Sequence, residues 1–205
     1  MASVKLTKNE LKVQKDKLKQ FERYLPTLEL KMQQLQSVMM KITVELQNKE
    51  QEIAALIDGL DDWVAVFAEN ALFCEDKKIE NLVKPLNVIY TEENIAGVVV
   101  PVFKELTFEE INYDISDYPL WVDEAIFKIR DIARLKMLLK TLRIQNELLG
   151  KELRFTSQRV NLFEKVKIPE AKKNIREIGI YLGDQQTSAV VRGKIAKKKR
   201  QEDKL

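Results

Sequence analysis

Hydrophobic residues recur with a seven-residue period along the first sixty residues of the chain. One row, at positions 11, 18, 25, 32, 39, 46, 53 and 60, holds only Leu, Met and Ile, and the row three positions later holds mostly Leu, Ile and Phe. A seam this long exceeds what an ordinary globular helix needs and predicts a coiled-coil helix of roughly 75 Å. The residues of this seam that we expect to pack in the coiled coil are Leu11, Leu18, Leu25, Leu35 and Leu46.

The last third of the chain carries a matching seam. Its a row runs through positions 132, 139, 146, 153 and 160, and its d row runs through 135, 142, 149, 156 and 163. Leu139, Leu142 and Leu153 are its strongest positions. An amphipathic helix must cover its apolar stripe, so we expect the two seams to pair. Asn146 on this seam is either a device that fixes the register or a hydrated defect.

The second seam slips by one residue after Phe163 and continues at Ile168 and Ala171. The slip lies beside Pro169, in a stretch that otherwise reads as helix. A proline inside a helix removes one hydrogen bond and costs about 3 kcal/mol. Because a one-residue insertion requires local rewinding, the sequence predicts a kink at Pro169 that absorbs the slip. Pro26 lies off the first seam and is expected to bend that helix without opening it.

Between the two seams the composition changes to Val and Ile. Residues 87–90 and 95–103 predict two short strands joined by a turn at 91–94, and Pro101 indicates an edge strand. Residues 61–82 predict a shorter helix, and helix resumes near Trp121.

A hairpin inserted between two long helices requires those helices to run antiparallel, with both chain ends at one end of the coil. The predicted fold is therefore mainly α: a long antiparallel two-helix coiled coil with a small inserted helix/β-hairpin head. The expected divisions are an N-terminal coiled-coil helix, the head, a C-terminal coiled-coil helix and a tail, at 1–60, 61–121, 122–200 and 201–205.

Composition argues against catalysis. The chain has 205 residues, a net charge of +3, no histidine and one cysteine, Cys74, which we expect to be an inert buried thiol. No phosphate-binding loop, ordered carboxylate pair or metal-ligand cluster is evident, so we expect no catalytic residues, cofactor or metal. No signal peptide or membrane span is predicted, and a soluble protein of a reducing cytosol is expected. Both chain ends are basic, whereas residues 105–124 carry only acidic charges.

Three motifs carry a family resemblance. The stretch "TSQRVNLFEKVKIPEAKKNIREIGIYL" resembles the C-terminal signature of the D subunit of V-type and A-type ATPases. The opening "VKLTKNELKVQKDKL" is similar to the start of that family, with Leu6 in place of its proline, and "ENIAGVVVP" is similar to its central strand. The matching positions are Arg159, Val160, Asn161, Glu164, Val166, Ile168 and Pro169, with Gly97 and Pro101 in the strand. The chain departs from the family at Leu162 and Phe163 and in the segment "GDQQTSAVV".

The resemblance implies a non-catalytic central rotor shaft that couples ATP hydrolysis or synthesis to ion translocation. It implies as partners the ring of catalytic A and B subunits, the small F subunit, and a funnel-shaped subunit above the proteolipid ring. The protein is then expected in the cytoplasm, peripheral to the membrane through the complex, without nucleic acid or membrane insertion. The alternatives are a prefoldin-like coiled-coil chaperone and a basic coiled-coil scaffold that binds DNA or anionic membrane.

Overall fold

A computed structural model describes residues 4–60, 78–109 and 118–202 of the protein. The chain begins with helix α1 (Lys8–Asp58), followed by the short helix α2 (Ile79–Leu82) and the strands β1 (Pro85–Ile95) and β2 (Val98–Phe108). Helix α3 (Trp121–Leu162) leads into a π-helical segment (Phe163–Lys167) and helix α4 (Ile168–Glu202). The mainly α fold predicted from the sequence is therefore confirmed.

Local sequence explains the limits of these helices. Thr7 caps α1, since its Oγ1 accepts the backbone N–H of Glu10 at 3.2 Å. α1 continues through Pro26, which is exposed on the helix surface. α3 begins at Trp121, where the sequence predicts the return to helix, with Asp123 and Glu124 in its first turn. Of the predicted helix at 61–82, residues 79–82 are helical, and residues 61–77, with Cys74, lie outside the described residues.

The chain divides into two compact units. One unit, Gln33–Arg154, contains the strands and is called the hairpin unit here. The other, Met1–Met32 with Phe155–Leu205, is called the terminal unit.

In the hairpin unit, α1 and α3 run antiparallel. Glu50 pairs with Arg143 at 2.7 Å, and the Met39 Cε lies 3.5 Å from the position that a Cβ on Gly150 would take. From the first contact to the second, the residue number falls on α1 and rises on α3, as it must for antiparallel helices. The core between these helices and the hairpin contains Leu35, Ile42, Val100, Leu142 and Leu149. The antiparallel pairing predicted from the sequence is confirmed here.

A second cluster in the hairpin unit fixes the start of α3. Ile79 and Leu82 of α2 pack against Val122, Ala125 and Ile126 of α3. The short helix α2 therefore contributes apolar side chains that cover the first turns of α3.

The two strands form an antiparallel hairpin whose loop is Ala96–Gly97, since Ile95 pairs with Val98. Both loop residues have positive φ, 51° and 83°, as a type I′ turn requires, and Gly97 donates its N–H to Asn94 Oδ1 at 2.8 Å. The prediction of a turn at residues 91–94 is wrong, because that stretch lies inside β1 and pairs with β2. Both strands are also longer than predicted.

In the terminal unit, α1 packs against the π segment and α4, again antiparallel. The Phe21 and Phe163 rings lie 5.2 Å apart, whereas Gln14, one heptad earlier on α1, borders a groove with Ala171 and Asn174. The buried positions are Thr156, Val160, Ala171 and Ile178, together with Gln14 of α1.

Candidate functional site: the motif around the π segment

The π segment absorbs the one-residue slip of the seam. The backbone N–H of Ile168 donates to the carbonyl of Phe163, five residues earlier, instead of the usual four. Leu162 before the segment and Ile168 after it both keep α-helical dihedral angles. The extra residue is thus accommodated by a wide turn directly before Pro169, whose ring would crowd the carbonyl four residues earlier in a regular helix.

The motif residues around this segment divide into an inward and an outward set. Val160 is buried, and Ile168 is half-buried on the seam. Arg159, Asn161, Glu164 and Pro169 are exposed. Asn161 donates its Nδ2 to the Ser157 carbonyl at 3.0 Å, which covers one backbone acceptor of α3.

Arg159 and Glu164 make no hydrogen bond or ion pair within the described part of the chain. Their charges therefore contribute little to the stability of the terminal unit itself, and both side chains are free to contact another molecule.

Polar groups surround the groove beside the π segment. Its lining includes Lys17, Gln20 and Lys167 around the Phe21 ring. Lys167 pairs with Glu170 at 3.3 Å, and Lys172 pairs with Glu22 of α1 at 3.4 Å. Exposed ion pairs of this kind contribute about 0–1 kcal/mol each, so the buried seam residues dominate the stability here.

The central-strand motif lies in the hairpin unit. Gly97 supplies the positive φ of the hairpin loop. The Pro101 carbonyl accepts a hydrogen bond from Gln145 Nε2 of α3 at 2.6 Å, and Gln145 is only 7% exposed. Together with the fully buried Val100, this bond holds β2 against α3.

The predicted seam positions lie on the covered faces of their helices. Leu35, Leu139 and Leu142 are buried. The remaining five are half-buried, namely Leu11, Leu18, Leu25, Leu46 and Leu153. Leu56, three heptads after Leu35 in the second row of this seam, is 37% exposed. Covered positions therefore extend along α1 to Ile53 and not to Leu56.

Asn146 illustrates what sequence reasoning left open. Its Oδ1 is buried and has no hydrogen-bond partner, so the side chain is not satisfied by another group of the described chain. Its neighbour Gln145 makes the contact to the hairpin and was missed, because it lies outside the a and d rows.

Two further properties of the described residues concern metal binding and membrane insertion. They contain no group of three or more His, Cys, Asp or Glu side chains placed to hold a metal ion. None of their helices is both long and apolar enough to cross a membrane.

Comparison with known proteins gives one family over nearly the whole chain. The family model described as the D subunit of ATP synthase matches residues 10–198. The D subunit of the V-type ATP synthase of Borreliella burgdorferi is 48% identical over 197 residues, covering 96% of this chain and 95% of that protein. Proteins of the same name from Chlamydia felis and Chlamydia abortus are 36% and 35% identical, each covering 99% of this chain and 96% of the relative. With this identity and coverage, the chain belongs to the family of D subunits of V-type ATP synthases.

Proposed function

We propose that the chain is the central rotor shaft of a rotary V-type or A-type ATPase. In this role the chain neither makes nor breaks a covalent bond. It turns inside the ring of A and B subunits and couples ATP hydrolysis or synthesis there to ion translocation through the membrane ring. The observation that carries the proposal is the antiparallel pairing of two long helices along a buried seam, seen within each unit.

The seam supports torque transmission because it resists sliding. Moving one helix along the other would take fully buried side chains such as Leu35, Leu149 and Ile178 out of their packing positions. Each such side chain contributes about 1.5–3 kcal/mol when buried. Sliding past several of them at once therefore costs far more than thermal energy, so a torque applied within either unit is carried along its helix pair.

The surface of α4 after Leu182 supports insertion into a surrounding ring. Every residue from 183 to 200 is exposed, including the apolar Val190, Val191 and Ile195. A single amphipathic helix that is uncovered over five turns is marginal in water. Burial inside a ring would cover these apolar side chains.

The proposed partners are the A and B subunits, the F subunit and the funnel-shaped subunit above the proteolipid ring. The proposed location is the cytoplasmic side of the membrane, bound through the complex. An asymmetric shaft presents a different face to each of three equivalent catalytic sites and so favours a different nucleotide state at each. The family match supports this role over a prefoldin-like chaperone or a basic scaffold.

A reversible cross-link tests the role. Ser188→Cys, exposed on α4, is introduced in a Cys74→Ser background and oxidised in the purified complex. A second cysteine is placed on the inner surface of a ring subunit. We expect oxidation to form a disulfide between the two subunits and to abolish ATP hydrolysis, and we expect reduction to restore it. The matched control is Ser37→Cys, exposed on α1 of the hairpin unit. A linked complex that hydrolyses ATP at the unlinked rate, or no link to any ring subunit, would contradict the rotor role.

A further inference from the structure

An open groove lies beside the last turns of α1 in the hairpin unit. Its volume is about 590 Å³, and its floor is formed by Ile53, Leu139 and Ile144. Ile53 and Leu139 are buried, whereas Ile144 is 41% exposed. The lining positions on α3 run from 136 to 147, three turns of helix or roughly 16 Å. The groove is therefore elongated along α3.

Two lysines lie on the rim of this groove, beside the ion-paired Arg143 and Glu147. Lys136 and Lys140 lie one turn apart on α3, and both are exposed. Like charges at this spacing repel by a few tenths of a kcal/mol. Within the described ranges 4–60, 78–109 and 118–202, neither ammonium group forms an ion pair.

The acidic groups near the rim already have cationic partners. Glu50 pairs with Arg143 at 2.7 Å, and Glu147 pairs with Lys151 at 2.8 Å. The pKa of Glu147 is lowered by the hydrogen bond and the charge of Lys151, so this carboxylate is committed to that pair. Among the described residues, no acidic side chain compensates the charges of Lys136 and Lys140 beside the apolar floor.

We propose that this groove is the docking site for an acidic amphipathic helix from another protein of the same complex. The proposal rests on the proposed function, which supplies the complex. Apolar side chains spaced three and four residues apart on the incoming helix fill the groove over Ile144. Its carboxylates pair with Lys136 and Lys140. A helix is the occupant that fits, because the groove follows a helix for three turns and has the length of a ridge-into-groove contact.

A site-specific photo-cross-link tests the occupant. A benzophenone amino acid replaces Ile144 in the full chain, and the assembled complex is purified from the source cell and illuminated. Val44 is the matched control, because it is also β-branched, is 51% exposed on α1 of the same unit and lies outside the groove. We expect the probe at 144, and not the probe at 44, to label a peptide with net negative charge and helical apolar spacing.

Three results overturn the proposal. They are an assembled complex with no cross-link at 144, a cross-linked peptide that is neutral or basic, and a cross-link to a second copy of this chain. If the chain does not co-purify with the complex at all, the proposed function fails and the docking proposal fails with it. If the complex assembles around the chain and the acidic peptide is absent, only the docking proposal fails.

Charge reversal then measures the contribution of the rim. The probe is a synthetic peptide with the sequence identified by the cross-link, titrated against the full chain. Lys140→Glu is expected to weaken binding about 3- to 10-fold at physiological salt, with less difference at high salt. Lys41→Glu, an exposed lysine of α1 outside the groove, is expected to leave the affinity within 2-fold. Equal losses for the two variants, with both still helical by circular dichroism, would refute the role of the rim.

Discussion

The hairpin unit and the terminal unit each pair α1 with an antiparallel helical partner, α3 in the first and the π segment with α4 in the second, and they differ in what covers that pair. In the hairpin unit, the strands add Val100 to the core between α1 and α3, so that Leu142 and Leu149 are enclosed from several directions. The terminal unit has no strand among its described residues and buries a smaller set of side chains. The strands therefore cover the helix pair of the hairpin unit as a third layer. Within the described part of the chain, the helix pair of the terminal unit has only the contact between its own helices, and it contains the π segment.

The largest expected effect comes from removing single residues, which tests whether the π segment is the place where α3 and α4 tolerate a change of helical phase. Deleting the exposed Lys151 rotates the following helix by about 100°. Even if the π segment straightens to compensate, Leu153, Thr156, Val160 and Phe163 leave the seam. We expect the free energy of unfolding to fall by about 3–5 kcal/mol, measured by urea denaturation.

Deleting the exposed Lys165 is the matched control, because it removes the extra residue of the π turn and restores regular hydrogen bonding. Because the restored turn would crowd the Pro169 ring, both chains carry Pro169→Ala, and we expect the deletion to leave the free energy of unfolding within about 1 kcal/mol of the Pro169→Ala chain. Similar losses for the two deletions would show that the π turn is not where the slip is absorbed.

The next effect compares equivalent cavities in the two units. Leu149→Ala and Ile178→Ala each remove a side chain that is fully buried. We expect a loss of about 3–5 kcal/mol at Leu149 and about 2–3 kcal/mol at Ile178, since a two-helix contact relaxes into the space more readily. Thermal and urea unfolding of both variants measure the difference. A larger loss at Ile178 would break the comparison between the units.

A smaller effect with opposite signs is expected at two adjacent residues of α3. Asn146→Leu removes a buried, unpartnered Oδ1 and should stabilise the chain by about 1 kcal/mol. Gln145→Met removes the donor to the Pro101 carbonyl and should destabilise it by about 1–2 kcal/mol. Denaturation curves compare the two. If both variants destabilise, Asn146 has a role in register that outweighs its unpaired oxygen.

The smallest effect concerns the exposed pair of Glu147 and Lys151. The hydrogen bond and charge of Lys151 lower the pKa of Glu147 below its ordinary value of 4.5. A lowered pKa means that the pair stabilises the fold above the ordinary value and that this contribution is lost as the pH falls through the lowered one. NMR titration of the Glu147 carboxyl should give a midpoint below 4.5, which Lys151→Ala moves upward. An unchanged midpoint in Lys151→Ala would contradict this cause.

The heptad rows predicted the pairing of the helices because burial along a seam follows directly from spacing. They also located the slip at Phe163 and Ile168, although a kink at Pro169 was expected and a π turn precedes it. The hairpin loop was misplaced because Thr and Glu within residues 91–94 suggested a turn, while the requirement for positive φ at Gly97 was the better signal. The roles of Gln145 and of the lysine rim could not be predicted in this way. They depend on which face of α3 contacts the hairpin or borders the groove, and residue spacing along one helix does not specify that face.

The uncovered end of α4 has a consequence for quality control in the cell. A subunit made in excess of its partners exposes residues 183–200 to proteases, whereas insertion into the proposed ring would shield them. Limited digestion should therefore shorten orphan copies and spare incorporated ones. Because that helix depends on contacts with partners for its stability, proteolysis would match the amount of this chain to the amount of its partners without a dedicated sensor.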